Sequence, residues 1–268
     1  MVKKKPYGIC ALTLTEGNYV DAHIVPKALT KPEYKGAPLL QSTKGKGHKK
    51  RFSSWYDKNL VTREGEDILA EIDDAGIKAL RTNQLIWSSW TFYKPVFDRL
   101  HFISDQHSIR RIRLENSDAI HRFFVSIAWR ACASKMSDMQ EAVASPEQIE
   151  LMRQTILAPN RAPESFPVSL TQMTSKGVIH NSSPYTQDKA IPPISDQVDP
   201  KTVKIVRIYC DGLIAHVHLD IDPQDVNENP LFVGTSDKTI IIGIDFEVSY
   251  QYENLLINAF ESYHGPSA

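Results

Sequence analysis

Asp21 and His23 stand two residues apart in the run Tyr19-Val20-Asp21-Ala22-His23-Ile24-Val25-Pro26-Lys27. On an extended chain that spacing places a carboxylate and an imidazole on one face. An imidazole gains and loses its proton near neutral pH, so the pair suits acid–base chemistry. Asn59 follows in Tyr56-Asp57-Lys58-Asn59-Leu60-Val61, and Glu66 lies early in the helix-like stretch after it. Other groups carry weaker signals. His216 and His218 share a strand face and could grip a metal, or be exposed surface residues. Asp73 and Asp74 could reach a cation, or form a solvated helix face. Trp87, Trp90, Phe92 and Tyr93 are dense enough to stack bases, or to anchor one part of the chain on another. Arg130, beside Trp129 in an apolar helix, calls for an internal carboxylate partner. Neither Gly-x-Gly-x-x-Gly nor Gly-x-x-x-x-Gly-Lys occurs, and Gly45-Lys46-Gly47 alone is too short for a phosphate loop.

Residues 7–15 and 18–25 read as two short strands around a Glu16-Gly17-Asn18 turn. Residues 31–55 read as a long polar loop holding Lys44, Lys46, Lys49, Lys50 and Arg51. Apolar residues at helical spacing predict helices over 64–80 and 117–134, the second with one buried face. Ser145-Pro146-Glu147-Gln148 is a helix start with a capping box. Phe166 to Met173 alternates as a strand, 174–202 reads as a long excursion or linker, and Asp211-Gly212 forms the turn of a hairpin. A strand over 239–248 and a closing helix over 250–263 complete an α+β chain.

The 268 residues are 41% hydrophobic and 24% charged, as in ordinary globular proteins. No apolar run reaches the roughly 20 residues that span a bilayer, and no apolar segment of signal-peptide length follows Lys3-Lys4-Lys5, so a cytoplasmic location without membrane contact is expected. Three separated cysteines, Cys10, Cys132 and Cys210, fit a reducing compartment. Residues 1–63 hold 13 Lys and Arg against 4 acids, a net +9, and the remainder nets -10. A basic head on an acidic body suggests an anionic partner, DNA or RNA, with a solvated loop as the alternative.

The segment Asp21-Ala22-His23-Ile24-Val25-Pro26-Lys27, with Tyr56-Asp57-Lys58-Asn59-Leu60 and the helix ending Ile72-Asp73-Asp74-Ala75-Gly76, resembles the "HIIPK" signature of HNH-like, treble-clef proteins of bacteria and phages. The resemblance extends more distantly through Phe123 to Ala131, Leu213 to Val217 and Ile240 to Ile242. It implies a small HNH-like ββα treble-clef module, residues 1–94, joined to a larger mixed α+β body with an antiparallel sheet, residues 95–268. It further implies a metal-dependent nuclease-family protein hydrolysing phosphodiester bonds in DNA or RNA, in a phage–host conflict setting. His23 would be the general base, Asn59 the orienting residue, and Asp21 and Glu66 ligands of Mg2+ or Mn2+. Lys44, Lys46, Lys49, Lys50 and Arg51 would hold phosphates. The family's zinc-binding C-x-x-C pairs read here Cys10-Ala11-Leu12-Thr13 and Thr62-Arg63-Glu64-Gly65, so no structural zinc is expected, and Ile9, Leu12, Leu14, Val25, Leu60 and Ile68 must pack in its place. Ala22 stands where an acid usually precedes the histidine. The alternative expectation is a catalytically degenerate module that binds nucleic acid or a protein partner.

Overall fold

A computed structural model describes residues 6–30, 32, 34, 36–43, 47–92, 100–158, 165–191 and 201–264. In chain order these form β1 (Tyr7–Ile9), β2 (Glu16–Asn18), β3 (Ala22–His23), β4 (Leu39–Ser42), β5 (His48–Arg51), β6 (Tyr56–Asp57), α1 (Arg63–Thr82), β7 (Leu100–Phe102) and β8 (His107–Ile112). There follow α2 (Ser117–Ala133), α3 (Pro146–Leu157), β9 (Val168–Met173), β10 (Asn181–Ser182), β11 (Tyr185–Ile191), β12 (Lys201–Cys210) and β13 (Leu213–His218). The chain ends in α4 (Pro223–Val226), β14 (Thr239–Ile244) and α5 (Tyr250–His264). The fold is α+β.

The largest sheet has seven strands in the order β11-β12-β13-β9-β14-β8-β7. It is antiparallel except where β14 lies parallel to β9. Asp211 and Gly212 both adopt positive φ, 49° and 80°, which gives the hairpin turn a twist matching β12 and β13. Alternation then sorts the sheet's two faces. Val206, Ile208, Ala215, Val217, Val168 and Leu170 face α2 in one apolar cluster, while Arg207, His216 and Ser169 form a row on the other face.

Helix α2 is apolar on all sides, from Ile120 and Phe123 to Trp129 and Ala131, and is buried on all sides rather than along one stripe. Its cluster also takes in Leu69, Ile72 and Leu80 of α1 and Cys10, Leu12, Ile24 and Val25 of the first residues, so the apolar interior runs from Cys10 to Ile241. Gly76 lets α1 and α2 approach closely: a Cβ there would lie 2.4 Å from Phe123 Cβ. Ser145 caps α3 with the full reciprocal box, as its sequence predicts.

Several expectations are corrected by pairings between distant residues. Glu16-Gly17-Asn18 is a strand, not a turn; the chain reverses instead over 10–15, where Cys10 N–H donates to the Thr15 carbonyl (2.8 Å). The expected loop 31–55 contains the β4/β5 hairpin, although Lys44 and Lys46 lie outside the described residues. The expected excursion or linker 174–202 supplies β10, which pairs in parallel with β4, and β11, the sheet's edge. Ile9 and Leu14 are 58% and 59% exposed and do not join the packing expected of them, whereas Leu12, Val25 and Leu60 are buried. No described helix is long and apolar enough to cross a membrane.

The Gly76 contact makes a direct prediction. Gly76→Ala improves helix propensity by roughly 1 kcal/mol, yet overpacking against Phe123 should cost about 1–3 kcal/mol and dominate. Urea unfolding of the variant should show a lower midpoint; an unchanged or raised midpoint would refute the close approach.

Candidate functional site

The two four-residue segments at 10–13 and 62–65 meet in space. Cys10 Sγ accepts the Thr13 backbone N–H at 3.4 Å. Burial pushes the thiol up, but hydrogen bonds from Thr13 and Thr62 outweigh it and hold Cys10 below its ordinary pKa. Gly65 sits directly against that sulfur, since a Cβ there would be 2.6 Å from Sγ. A chain of side chains closes the junction: Thr13 Oγ1 meets Thr15 Oγ1 at 2.6 Å, and Thr15 Oγ1 donates to Glu64 Oε2 at 2.9 Å. Hydrogen bonds and apolar contact thus fasten the first turn of α1 to the 10–15 turn.

His23 pairs across the β3/β6 ribbon with Tyr56, their rings 6.2 Å apart, and is half-buried. Beneath it lies Arg130 of α2, 1% exposed. The guanidinium donates to the His23 carbonyl (2.9 Å), to both Asp73 oxygens (2.6 and 3.0 Å) and to Ser126 Oγ (3.0 Å). The internal carboxylate expected for Arg130 is therefore Asp73, while Asp74 stays exposed. Burial holds the His23 imidazole below its usual pKa, helped by Lys27 and Arg130 and opposed by Asp73 and Asp21. Burial also pushes Glu66 up to about 7, with Arg130 opposing and Asp73 reinforcing the rise.

Asp21 is exposed, close enough for its charge to act on His23. Asn59 is exposed and follows Asp57, whose Oδ1 accepts the Asn59 backbone N–H (2.8 Å). It lines a cavity that His23 does not line. The charge of Asp21 thus acts on His23, while Asn59 is placed on a cavity to which His23 does not contribute.

A divalent cation needs several anionic or imidazole ligands around one point. Among the described residues, no three His, Cys, Asp or Glu side chains are grouped to hold one. Asp73 is already taken by Arg130, and Asp57, buried in the same ribbon, by the Asn59 N–H and the Ser134 hydroxyl. The side chains around His23 do not fit a Mg2+ or Mn2+ centre.

The cavity beside Asn59 has a volume of about 760 Å³. It lies between β5, β6 and the end of α2, with Arg51, Lys58 and Lys135 in its walls. Gln41 pairs with Lys49 and Leu39 with Arg51, so Lys49 and Arg51 share the cavity-facing side of β5. Lys50 points the other way with His48, which bonds Ser42 Oγ (2.5 Å) and the Leu255 carbonyl (2.9 Å). Phe52, the next residue, is 82% exposed. The sequence drew attention to the lysines but not to Ser54, Trp55 or Lys135; only the Phe52-to-Trp55 stretch beside the basic run hinted at them.

A second cavity of similar volume is lined by Trp87, His180, Tyr209 and Phe246, with Arg81 and Lys176 balanced by Asp211 and Glu247. Trp87 and Trp90 are buried there in an aromatic cluster, Phe92 is exposed, and Tyr93 lies outside the described residues. His218, expected at the surface, is 4% exposed; burial holds its pKa down to about 4 and that of His216 lower still than usual, so both are neutral sheet residues at pH 7.

Two outcomes test this geometry. Arg130→Met leaves Asp73 without its partner and should cost about 3–5 kcal/mol, much of it recovered when Asp73→Leu is added; equal losses in the single and double variants would refute the clasp. Glu66 has a folded pKa raised above its unfolded value, so its contribution is greatest below about pH 4.5 and is lost as pH rises through about 7. Glu66→Gln should gain about 1–3 kcal/mol on wild type between about pH 5 and pH 8, read from unfolding curves. A pH-independent difference would place Glu66 in water.

The chain matches none of the protein-family models, curated proteins or solved structures with which it was compared. Its function must therefore be read from the chemistry of its own side chains.

Proposed function

We propose that the protein binds single-stranded nucleic acid through β5 and the adjoining cavity, as an HNH-like module that does not hydrolyse its ligand. The observation that carries this reading is the run Lys49-Lys50-Arg51-Phe52, in which Arg51 lines a basic cavity, Lys49 lies on the same side of β5 and an aromatic ring stands 82% exposed at its end. Cations that track phosphates beside rings that stack bases are the usual means of holding a single strand. The net +9 of residues 1–63 supports an anionic partner. Lysines on an edge strand also discourage sheet-to-sheet pairing, but that role does not call for an exposed phenyl ring beside them.

A second reading keeps hydrolysis, with His23 as base and Asn59, Asp21 and Glu66 in the roles the resemblance implies. It is favoured by the perturbed protonation of His23 and Glu66, since such shifts gather at functional sites. Against it stand the Arg130 clasp and the placing of Asn59 on a cavity that His23 does not line.

Titration with a labelled single strand separates the two. Affinity should fall with salt with a log–log slope of about -2, as for roughly three phosphate contacts. Lys49→Glu with Arg51→Glu should flatten that slope, whereas Phe52→Ala should weaken binding and leave the slope in place. With Mg2+ or Mn2+ added, strand and plasmid should both stay intact; cleavage that vanishes in His23→Ala would give the protein to the second reading.

A further inference from the structure

We infer that the cavity between β5, β6 and the end of α2 is a binding site for a nucleotide phosphate, supplied by the end of a nucleic-acid strand or by a free mononucleotide. The strand form rests on the proposed function above; the mononucleotide form does not.

The argument begins with two buried donors. Trp55 is 2% exposed and Ser54 4% exposed, and both line the cavity. Ser54 Oγ and Trp55 Nε1 have no hydrogen-bond partner among the described residues and are covered by their neighbours, so a ligand reaches them only when the cavity wall shifts. Buried donors are rarely left unpaired in folded proteins, because their desolvation goes uncompensated. Gln41 Oε1 is unpaired as well, but it lies across β4/β10 from Asn181, whose Nδ2 is also unpaired, and the two can serve each other.

Charge then selects the ligand. Arg51, Lys58 and Lys135 line the cavity against Asp57 and Asp138. Both Asp57 oxygens are engaged, Oδ1 by the Asn59 N–H and Oδ2 by the Ser134 hydroxyl at 2.6 Å. The groups that remain are mainly donors and cations, which suit an acceptor-only oxyanion such as phosphate. The other walls are aromatic. Tyr19 and Tyr56 stand beside Trp55, and the Lys58 ammonium lies 5.5 Å from the centre of the Tyr56 ring. A volume of about 760 Å³ is in the range that encloses a small-molecule ligand. A phosphate held by the donors with its base against the rings uses both kinds of wall. The second cavity also has two unpaired buried donors, Trp87 Nε1 and the Tyr209 hydroxyl, but its charges balance and do not favour an anion.

The test is a binding titration with the full-length chain, using a short DNA strand phosphorylated at its 5′ end, the same strand phosphorylated at its 3′ end, the unphosphorylated strand, and AMP. At least one phosphorylated strand should bind about tenfold more tightly than the bare one, as expected for added charge-assisted bonds. Ser54→Ala, which retains the packing volume, and Trp55→Phe, which removes the indole N–H together with one ring, should each erase most of that advantage. Lys58→Gln with Lys135→Gln changes only exposed side chains and provides the same readout should a buried variant misfold. If strands fail to bind but AMP binds with this dependence, the phosphate site stands and the strand-binding function falls. If all strands bind alike and AMP does not bind, the phosphate site falls and strand binding stands. A phosphate preference unmoved by every variant also overturns the cavity assignment, and no binding of any ligand overturns both.

Discussion

The Arg130 guanidinium is the constraint on which the front of the molecule depends. It is buried in the central helix, and a charge in that position must be fully hydrogen-bonded or it unfolds its surroundings. Asp73 from α1, the His23 carbonyl from β3 and Ser126 from its own helix together meet that demand. One side chain thereby fixes the angle of α1 on α2, already drawn close at Gly76, and the position of the ribbon carrying His23. The imidazole is consequently desolvated and faces a cation, which holds it neutral. A residue that looks poised for proton transfer is in that state because of how the module is fastened to α2.

A second fastening joins the 10–15 turn to the start of α1. In the HNH resemblance these are the positions where thiolates would converge on zinc. Here one sulfur, three threonines and a glutamate form a polar junction, with Leu12 and Leu60 packed into the core nearby. The difference is one of energetics as much as composition. A metal centre contributes its stabilisation through a few strong bonds, whereas this junction relies on several weak ones and on the shared apolar interior.

Local chemistry was legible in the sequence wherever neighbouring residues decide the outcome. Periodicity located α1 and α2 to within a few residues, Ser145 and Gln148 identified the start of α3, and Asp211-Gly212 marked the hairpin. Illegible features joined residues far apart in the chain. The pairing of β4 with β10 unites positions 41 and 181, so neither segment looks like a strand alone. Arg130 and Asp73 are 57 positions apart, and only the meeting of two helices shows which acid the arginine takes. The cavity was hidden for the same reason, since its walls come from β1, β4, β5, β6 and the end of α2. Asp21 and His23 were legible as neighbours, whereas the placing of Asn59 on that cavity was not legible.

Gly65 sets how closely α1 can sit against the 10–15 turn. Any side chain there would begin 2.6 Å from the Cys10 sulfur, closer than the atoms can approach. A larger residue at 65 would therefore require α1 to retreat from the turn, and α1 is also held further along by Gly76 and Asp73. Position 65 thus acts as a steric stop that sets how far α1 advances onto the turn.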